Sequence, residues 1–261
     1  MFEPKIGVSM LYTLGEPFKK MLRLLNKIET NYIEIVDDGY HTLDKQKVTA
    51  LIETAQSSTF KYTIHCPFAD INLASPSKPM LKASLKRLEQ SMQYANRLNA
   101  ELWILHPGMI TGITQFYPGI EWKQNIQSIN KLAKTAKEYD LRVAIENLPQ
   151  KYGSIMKSPQ DFQRLYQQTE PNDIGIVLDT GHANLEAQID PFLTQLPNKI
   201  YELHLSDNMG EQDQHLGIGD GKINWQNLVQ SLKRINYSGI IMVESIFKVP
   251  ESLKKLQQLL A

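Results

Sequence analysis

Cysteine is almost missing from this chain: Cys66 is the one thiol in 261 residues. No disulfide can therefore close within it, and a reducing cytoplasm is the expected setting. No apolar run reaches the roughly 18 residues a membrane helix needs, so no contact with a membrane is expected. The opening segment MFEPKIGVSM lacks the basic-then-apolar order of a secretory leader. An excess of either charge is absent as well, since 28 Lys and Arg balance 28 Asp and Glu. A dedicated nucleic-acid binder carries a basic surplus. No Gly-rich phosphate loop follows an early strand, which counts against an open doubly wound sheet. Gly217, Gly219 and Gly221 come late and read as turn glycines. No Gly/Pro-rich linker divides the chain, so residues 1–261 are read as one domain.

What is present is a repeat of a short β-rich apolar run, a loop, and a longer segment of helical period. Strands are expected at Ile6–Ser9, Tyr32–Val36, Tyr62–His65, Leu102–His106, Arg142–Glu146, Ile174–Asp179, Ile200–Leu205 and Ile240–Glu244. The clearest helices are Met80–Leu98, Glu121–Tyr139, Ser158–Gln168, Trp225–Ile235 and Glu251–Leu260. Met80–Leu98 places Leu81, Leu85, Leu88, Met92, Ala95 and Leu98 on one face. Eight strands alternating with eight helices make an α/β chain, expected to close as a single (β/α)8 barrel, the TIM barrel.

The apolar runs end in a telling way. YTIH finishes on His65, LWILH on His106, VAIE on Glu146, IVLD on Asp179 and IMVE on Glu244, while YELH reaches His204 and continues one residue. In a β/α barrel those ends converge on one mouth, where active sites are built. An apolar strand carries a charged residue inward only if something pairs with it, and a divalent cation satisfies several such groups at once. His182 follows Asp179 by three residues, and Asp213 and His215 form a D-x-H pair after His204. Mixed imidazole and carboxylate ligation favours zinc, with manganese, iron or cobalt as alternatives, over magnesium or calcium. Nine candidates exceed the roughly four ligands one zinc takes, so two or three ions sharing a bridging carboxylate are expected.

Other residues are weighed against plainer readings. His41, in DDGYHTL, reads as a surface loop residue. Cys66 directly follows His65 and should point away from it as an inert buried thiol. The long segment PGMITGITQFYPGIEW brings Phe116, Tyr117 and Trp122, which either cover a sugar ring or base or pack over the fourth helix. Lys157 and Lys222 fall on βα loops and read first as solvated lysines.

HCPFADINLAS, LWILHPG, AIENLP, GIVLDTGHANL, YELHLSDN, DQHLGIGDG and MVES, in that order, resemble the superfamily that joins endonuclease IV with xylose isomerase-like sugar isomerases and epimerases. The resemblance runs from the second strand to the eighth. In the endonuclease branch it implies one zinc on His65, His106 and Glu146, a second on Glu146, Asp179, His204 and Glu244, and a third on His182, Asp213 and His215. In the isomerase and epimerase branch it implies one metal, often manganese, on Glu146, Asp179, His204 and Glu244, with Glu146 and Glu244 moving the proton. Phosphodiester hydrolysis uses metals on both the attacking and leaving oxygens, and the full endonuclease ligand set is present. Other features depart from that branch. One extra residue lies between His65 and Asn72, DTGHANL replaces DTCH, and only eight residues separate His204 from Asp213. Asp37 and Asp38 stand where an endonuclease offers an arginine, and such a pair repels phosphate. These departures resemble a small sugar phosphate isomerase/epimerase branch. The expectation is a metal-dependent hydrolase acting on a phosphoester attached to a sugar, with a sugar isomerase or epimerase as the alternative. The partner is a small sugar-phosphate substrate or abasic DNA. A catalytically dead binding protein fits poorly, because decayed sites lose ligands.

Overall fold

The computed structural model describes residues 2–169 and 173–261. Eight parallel strands close into a barrel in chain order: β1 Lys5–Ser9, β2 Tyr32–Val36, β3 Lys61–His65, β4 Leu102–Leu105, β5 Val143–Glu146, β6 Gly175–Asp179, β7 Ile200–Leu205 and β8 Ile240–Val243. The helices are α1 Phe18–Leu25, α2 Lys45–Ser58, α3 Lys78–Arg97, α4 Ile120–Glu138, α5 Pro159–Tyr166, α6 Thr180–Leu185, α7 Ile189–Gln195, α8 Trp225–Arg234 and α9 Val249–Leu260. The barrel expected from the repeat is the barrel observed. One helix per strand is not: the described residues hold nine, because the sixth unit carries both α6 and α7, with Ala187 at φ 52 between them. His106 and Glu244 each sit one residue beyond their strand rather than within it. No helix among the described residues is long and apolar enough to cross a membrane.

Successive strand residues face opposite sides, and the packing sorts them. Trp103, Leu105, Val143, Ile145, Ile176, Leu178, Leu203 and Ile241 belong to the large core between strands and helices. Leu102, Ile104, Ala144 and Val177 form a separate cluster inside the barrel. Continuing the inner series by two residues reaches His106, Glu146 and Asp179. The amphipathic helices cover the outer face. On α3, Leu81, Leu88, Met92 and Ala95 are buried, and Ser91 takes the indole N–H of Trp103 at 3.1 Å.

β7 departs from this regular alternation. Ile200 pairs with Ile176 on the outer face, but the next residue of β6, Val177, pairs with Glu202, so Tyr201 is an extra residue in the ladder. A bulge of this kind resets which side a strand presents. Beyond it Leu203 and Leu205 face the helices, and Glu202 and His204 face inward. Gly175 accommodates the bulge, since a Cβ there would lie 2.1 Å from the Tyr201 ring.

Asp37 and Asp38 do not form the acidic wall their sequence position suggested. Asp37 is fully buried and bound by Arg87 of α3 at 2.6 and 3.1 Å, and it accepts the Leu43 N–H at 2.7 Å. Asp38 accepts the backbone N–H groups of Gly39, Phe68 and Ala69, which ties the β2 loop to the β3 loop. His41 is buried rather than exposed: Nε2 lies 3.0 Å from the Glu16 carbonyl, and the ring meets Phe18 edge-on.

Removing one member of a buried ion pair leaves an uncompensated charge. Arg87→Ala should therefore cost about 3 kcal/mol, read as a lower urea midpoint with an unchanged slope.

Candidate metal centre

The βα loops reach the site by short routes. Asp179 ends β6 and at once caps α6, its Oδ1 accepting the His182 N–H at 2.5 Å. The first turn of α6 thus delivers His182 to the mouth. Gly181 makes room for the neighbouring loop, because a Cβ there would stand 2.7 Å from Ser206 Oγ. Asp213 and His215 come from the β7 loop, which returns to the barrel through paired backbone hydrogen bonds between Asp207 and Leu216. His215 has φ 45, a strained position for a non-glycine residue that turns its ring over the mouth.

All nine residues singled out from the sequence come together there. They fall into three groups whose donor atoms lie within 4.8 Å of one another: His65, His106 and Glu146; Glu146, Asp179, His204 and Glu244; and His182, Asp213 and His215. Glu146 is shared by two groups. Its Oε2 is 3.2 Å from His65 Nε2 and 3.1 Å from His106 Nε2, and its Oε1 is 3.2 Å from His182 Nδ1. Asp213 Oδ2 sits between His182 Nε2 at 3.1 Å and His215 Nε2 at 3.2 Å.

The rings are held from behind. Nδ1 of His65 lies 2.8 Å from the Cys66 carbonyl, Nδ1 of His182 2.9 Å from the Asn147 carbonyl, and Nδ1 of His215 3.1 Å from the Glu244 carbonyl. A carbonyl can only accept, so each of these nitrogens carries a hydrogen, and each Nε2 faces the centre as the atom that can give up its proton and bind a cation. Asp179 Oδ2, His204 Nδ1, Asp213 Oδ1 and Glu244 Oε2 are buried without any hydrogen-bond partner. Such orphaned atoms are costly unless a ligand engages them. This donor set fits divalent metal.

Electrostatics agree with that fit. Burial alone would depress the His65 pKa, but Glu146, Glu34 and Glu244 lift it to about 9. For His215 burial is likewise outweighed, by Asp213, Glu244 and Asp179, and the pKa stands at about 10. Burial raises Asp179 to about 7, with Glu244, Glu146 and Asp213 adding to the effect against His182. Cys66 stays outside this chemistry: it is buried, its Sγ contacts the Pro67 carbonyl, and burial pushes the thiol up.

The centre opens into a cavity of about 350 Å³. One wall is apolar, made by Leu11, Val36, Phe68, Ile71, Pro107 and Met109. Tyr152 overhangs the opposite side, its hydroxyl 3.3 Å from Asp213 Oδ2. No lysine or arginine among the described residues lines it, so Lys157 and Lys222 remain outside. Of the long β4 loop only Pro107 and Met109 reach the cavity. Phe116 and Tyr117 are exposed away from it, and Trp122 is buried on α4, bound to Gln168 and stacked by Arg164. The aromatic-lid reading gives way to the packing one for Trp122.

The sequence pattern of the xylose isomerase-like TIM barrels matches residues 22–260. This chain belongs to that family. A family relative from Methanocaldococcus jannaschii, itself uncharacterised, is 34% identical over 242 residues, 92% of this chain and 91% of its own length. A probable endonuclease 4 of Thermosipho melanesiensis is 28% identical across 60% of each chain. A D-psicose 3-epimerase of Enterocloster bolteae is 28% identical across 92% of this chain and 81% of its own. A crystal structure of a D-tagatose 3-epimerase-like protein superimposes with a TM-score of 0.89 at 28% identity, covering 98% of both chains. Both branches named from the motifs are thus represented among the relatives of this xylose isomerase-like barrel.

Sequence reasoning missed Glu34 and Glu202, both fully buried beneath the centre. The signal was present: each interrupts an apolar strand, YIEIV and IYELHL, at an inward position.

Cation binding to this family member must displace protons from His65 and His215. Affinity should therefore rise from pH 6.5 through about 9 and 10, with proton release measurable by calorimetry in buffers of different ionisation enthalpy. The metal-free protein should show the opposite trend. The stability these two imidazoliums contribute is complete below about 6.5, their unfolded pKa, and is lost as pH climbs through about 9 and 10.

Proposed function

We propose that this chain is a metal-dependent hydrolase of the cytoplasm that cleaves a phosphoester joined to a sugar, with zinc as the resident metal and Glu146 and Glu244 as its central carboxylates. The observation that carries the proposal is the division of nine donors into three groups with Glu146 shared between two. A one-metal isomerase has no use for His65, His106, His182, Asp213 and His215. Zinc held by these donors, with manganese as the alternative, would activate water and stabilise the charge developing on the attacking and leaving oxygens.

The chain's own residues position that chemistry. Glu146 holds the first two groups at a fixed short spacing, because both of its oxygens are engaged by rings that are themselves anchored. With Nδ1 of each ring anchored on a carbonyl, the Nε2 atoms of His65, His182 and His215 aim at one region without reorganisation. The apolar wall suits the nonpolar face of a sugar ring, and the Tyr152 hydroxyl beside Asp213 can hydrogen-bond a sugar oxygen. With no lysine or arginine along the cavity among the described residues, bound metal would be the main positive charge offered to phosphate. That favours a small sugar phosphoester over duplex DNA, whose binding rests on many basic contacts.

A specific observation favours a second reading. The same cavity, with no lysine or arginine along it among the described residues, suits a neutral ketose, and the D-psicose 3-epimerase relative aligns over nearly the whole chain. Glu146 and Glu244 would then exchange a proton with carbon.

Two measurements separate the readings. Elemental analysis after gentle purification should give close to three metals per chain under the hydrolase reading and one under the other. The loaded protein should release nitrophenolate from an activated phosphodiester and phosphate from sugar phosphates, with Glu146→Gln losing at least about a thousandfold. C3 epimerisation of ketohexoses, one bound metal and no phosphoester cleavage would overturn it. Strong incision of an abasic duplex would keep the chemistry but reverse the substrate assignment.

A further inference from the structure

His204 presents its two ring nitrogens to two different places. Nδ1 faces the centre, 3.3 Å from Glu244 Oε1 and 3.8 Å from Glu146 Oε2. Nε2 faces down into the barrel, 3.0 Å from Glu34 Oε2 and 3.4 Å from Glu202 Oε1. His65, His182 and His215 each rest the far nitrogen on a backbone carbonyl. His204 has carboxylates there instead. Glu34 and Glu202 are fully buried, and all four of their oxygens, like both nitrogens of His204, lack a hydrogen-bond partner. Barrel interiors of this type are ordinarily filled by branched apolar side chains. Two carboxylates in that layer are a stability cost that packing does not explain.

We infer that Glu34 is a positioning residue for the metal centre: its carboxylate, 3.0 Å from Nε2, accepts the Nε2–H of His204 when the site is loaded, fixes the tautomer whose Nδ1 lone pair faces the centre, and strengthens that nitrogen as a ligand. Glu202, at the longer distance, supports the same N–H as a secondary acceptor. The inference rests on the reading of His204 as a metal ligand and not on the reaction catalysed. A carboxylate behind a ligating imidazole typically changes metal affinity by about 10- to 100-fold. Glu34 comes from β2 and His204 from β7, so the support reaches across the barrel from strands that are not neighbours.

The test uses the whole chain, stripped of metal and titrated with Co²⁺ while its visible spectrum is followed. Glu34→Leu should weaken the tightest affected equivalent by about 10- to 100-fold, Glu34→Gln by less, and Glu202→Gln by least. The thermal midpoint of metal-free Glu34→Leu should hold or rise, because one of two carboxylates crowded against the same buried imidazole is replaced by an apolar side chain and Glu202 remains as its counter-charge. A merely structural role would lower stability and affinity together. In the cobalt-loaded wild type, a paramagnetically shifted, solvent-exchangeable proton should be protected, and it should lose that protection in Glu34→Leu. Cobalt affinity within about twofold of wild type in both Glu34 variants would overturn the assignment. Loss of one whole equivalent, with the others unchanged, would overturn it in favour of a cation held by the two carboxylates themselves. If Glu34→Leu does not fold, the graded affinity and the exchangeable proton of Glu34→Gln decide. A wild type that binds no cobalt would overturn the metal centre as well.

Discussion

Five imidazoles and four carboxylates gather at one end of the barrel, most of them almost wholly out of water. Burying charge without a counter-charge is among the most expensive acts in folding, and much of the local architecture answers that cost. Two of the carboxylates sit between imidazoles: Glu146 among His65, His106 and His182, and Asp213 between His182 and His215. Backbone carbonyls occupy the far nitrogens of three rings. Among the nine donors, Asp179 Oδ2, His204 Nδ1, Asp213 Oδ1 and Glu244 Oε2 stay unsatisfied at the centre itself. The residual cost is the binding free energy available to a cation.

Rigidity follows from the same constraint. Four of the nine donors stand within strands at or near their ends, two stand one residue past a strand, and His182 stands in the first turn of a helix capped by another of them, Asp179. The β7 loop that carries Asp213 and His215 is pinned by Asp207, whose carboxylate accepts from Gly219, Ile223 and the Trp225 indole. Few of these groups can move without breaking a hydrogen bond behind them, which is the condition for holding metals at fixed spacing.

The cavity above the centre speaks to substrate in a different way. Above the donors it offers an apolar wall and one tyrosine hydroxyl and, among the described residues, no lysine or arginine. Charge recognition is thereby concentrated in whatever the nine donors hold. Asp37, which by position looked able to repel phosphate from the mouth, is neutralised by Arg87 and buried, and Asp38 is occupied with three backbone N–H groups. Only the fold could show that these acids are structural fastenings.

The sequence alone determined the barrel and which nine side chains meet at its mouth. Eight apolar runs spaced by helical segments can close in few ways, and residues that end such runs must converge, because parallel strands share one C-terminal rim. Loop residues were less legible, since their direction depends on contacts that no local pattern encodes: His41 turned inward, and Trp122 packed on α4 rather than over the mouth. The tertiary structure decided the orientation of β7. Counting by twos from Ile200, which faces outward, would put His204 outside the barrel; the extra residue at Tyr201 turns it in. It also decided that Glu34 of β2 stands beneath His204 of β7. Pairing across a barrel joins residues far apart in the chain, and a one-residue slip exchanges the two faces, so these two features had to be read from the folded molecule.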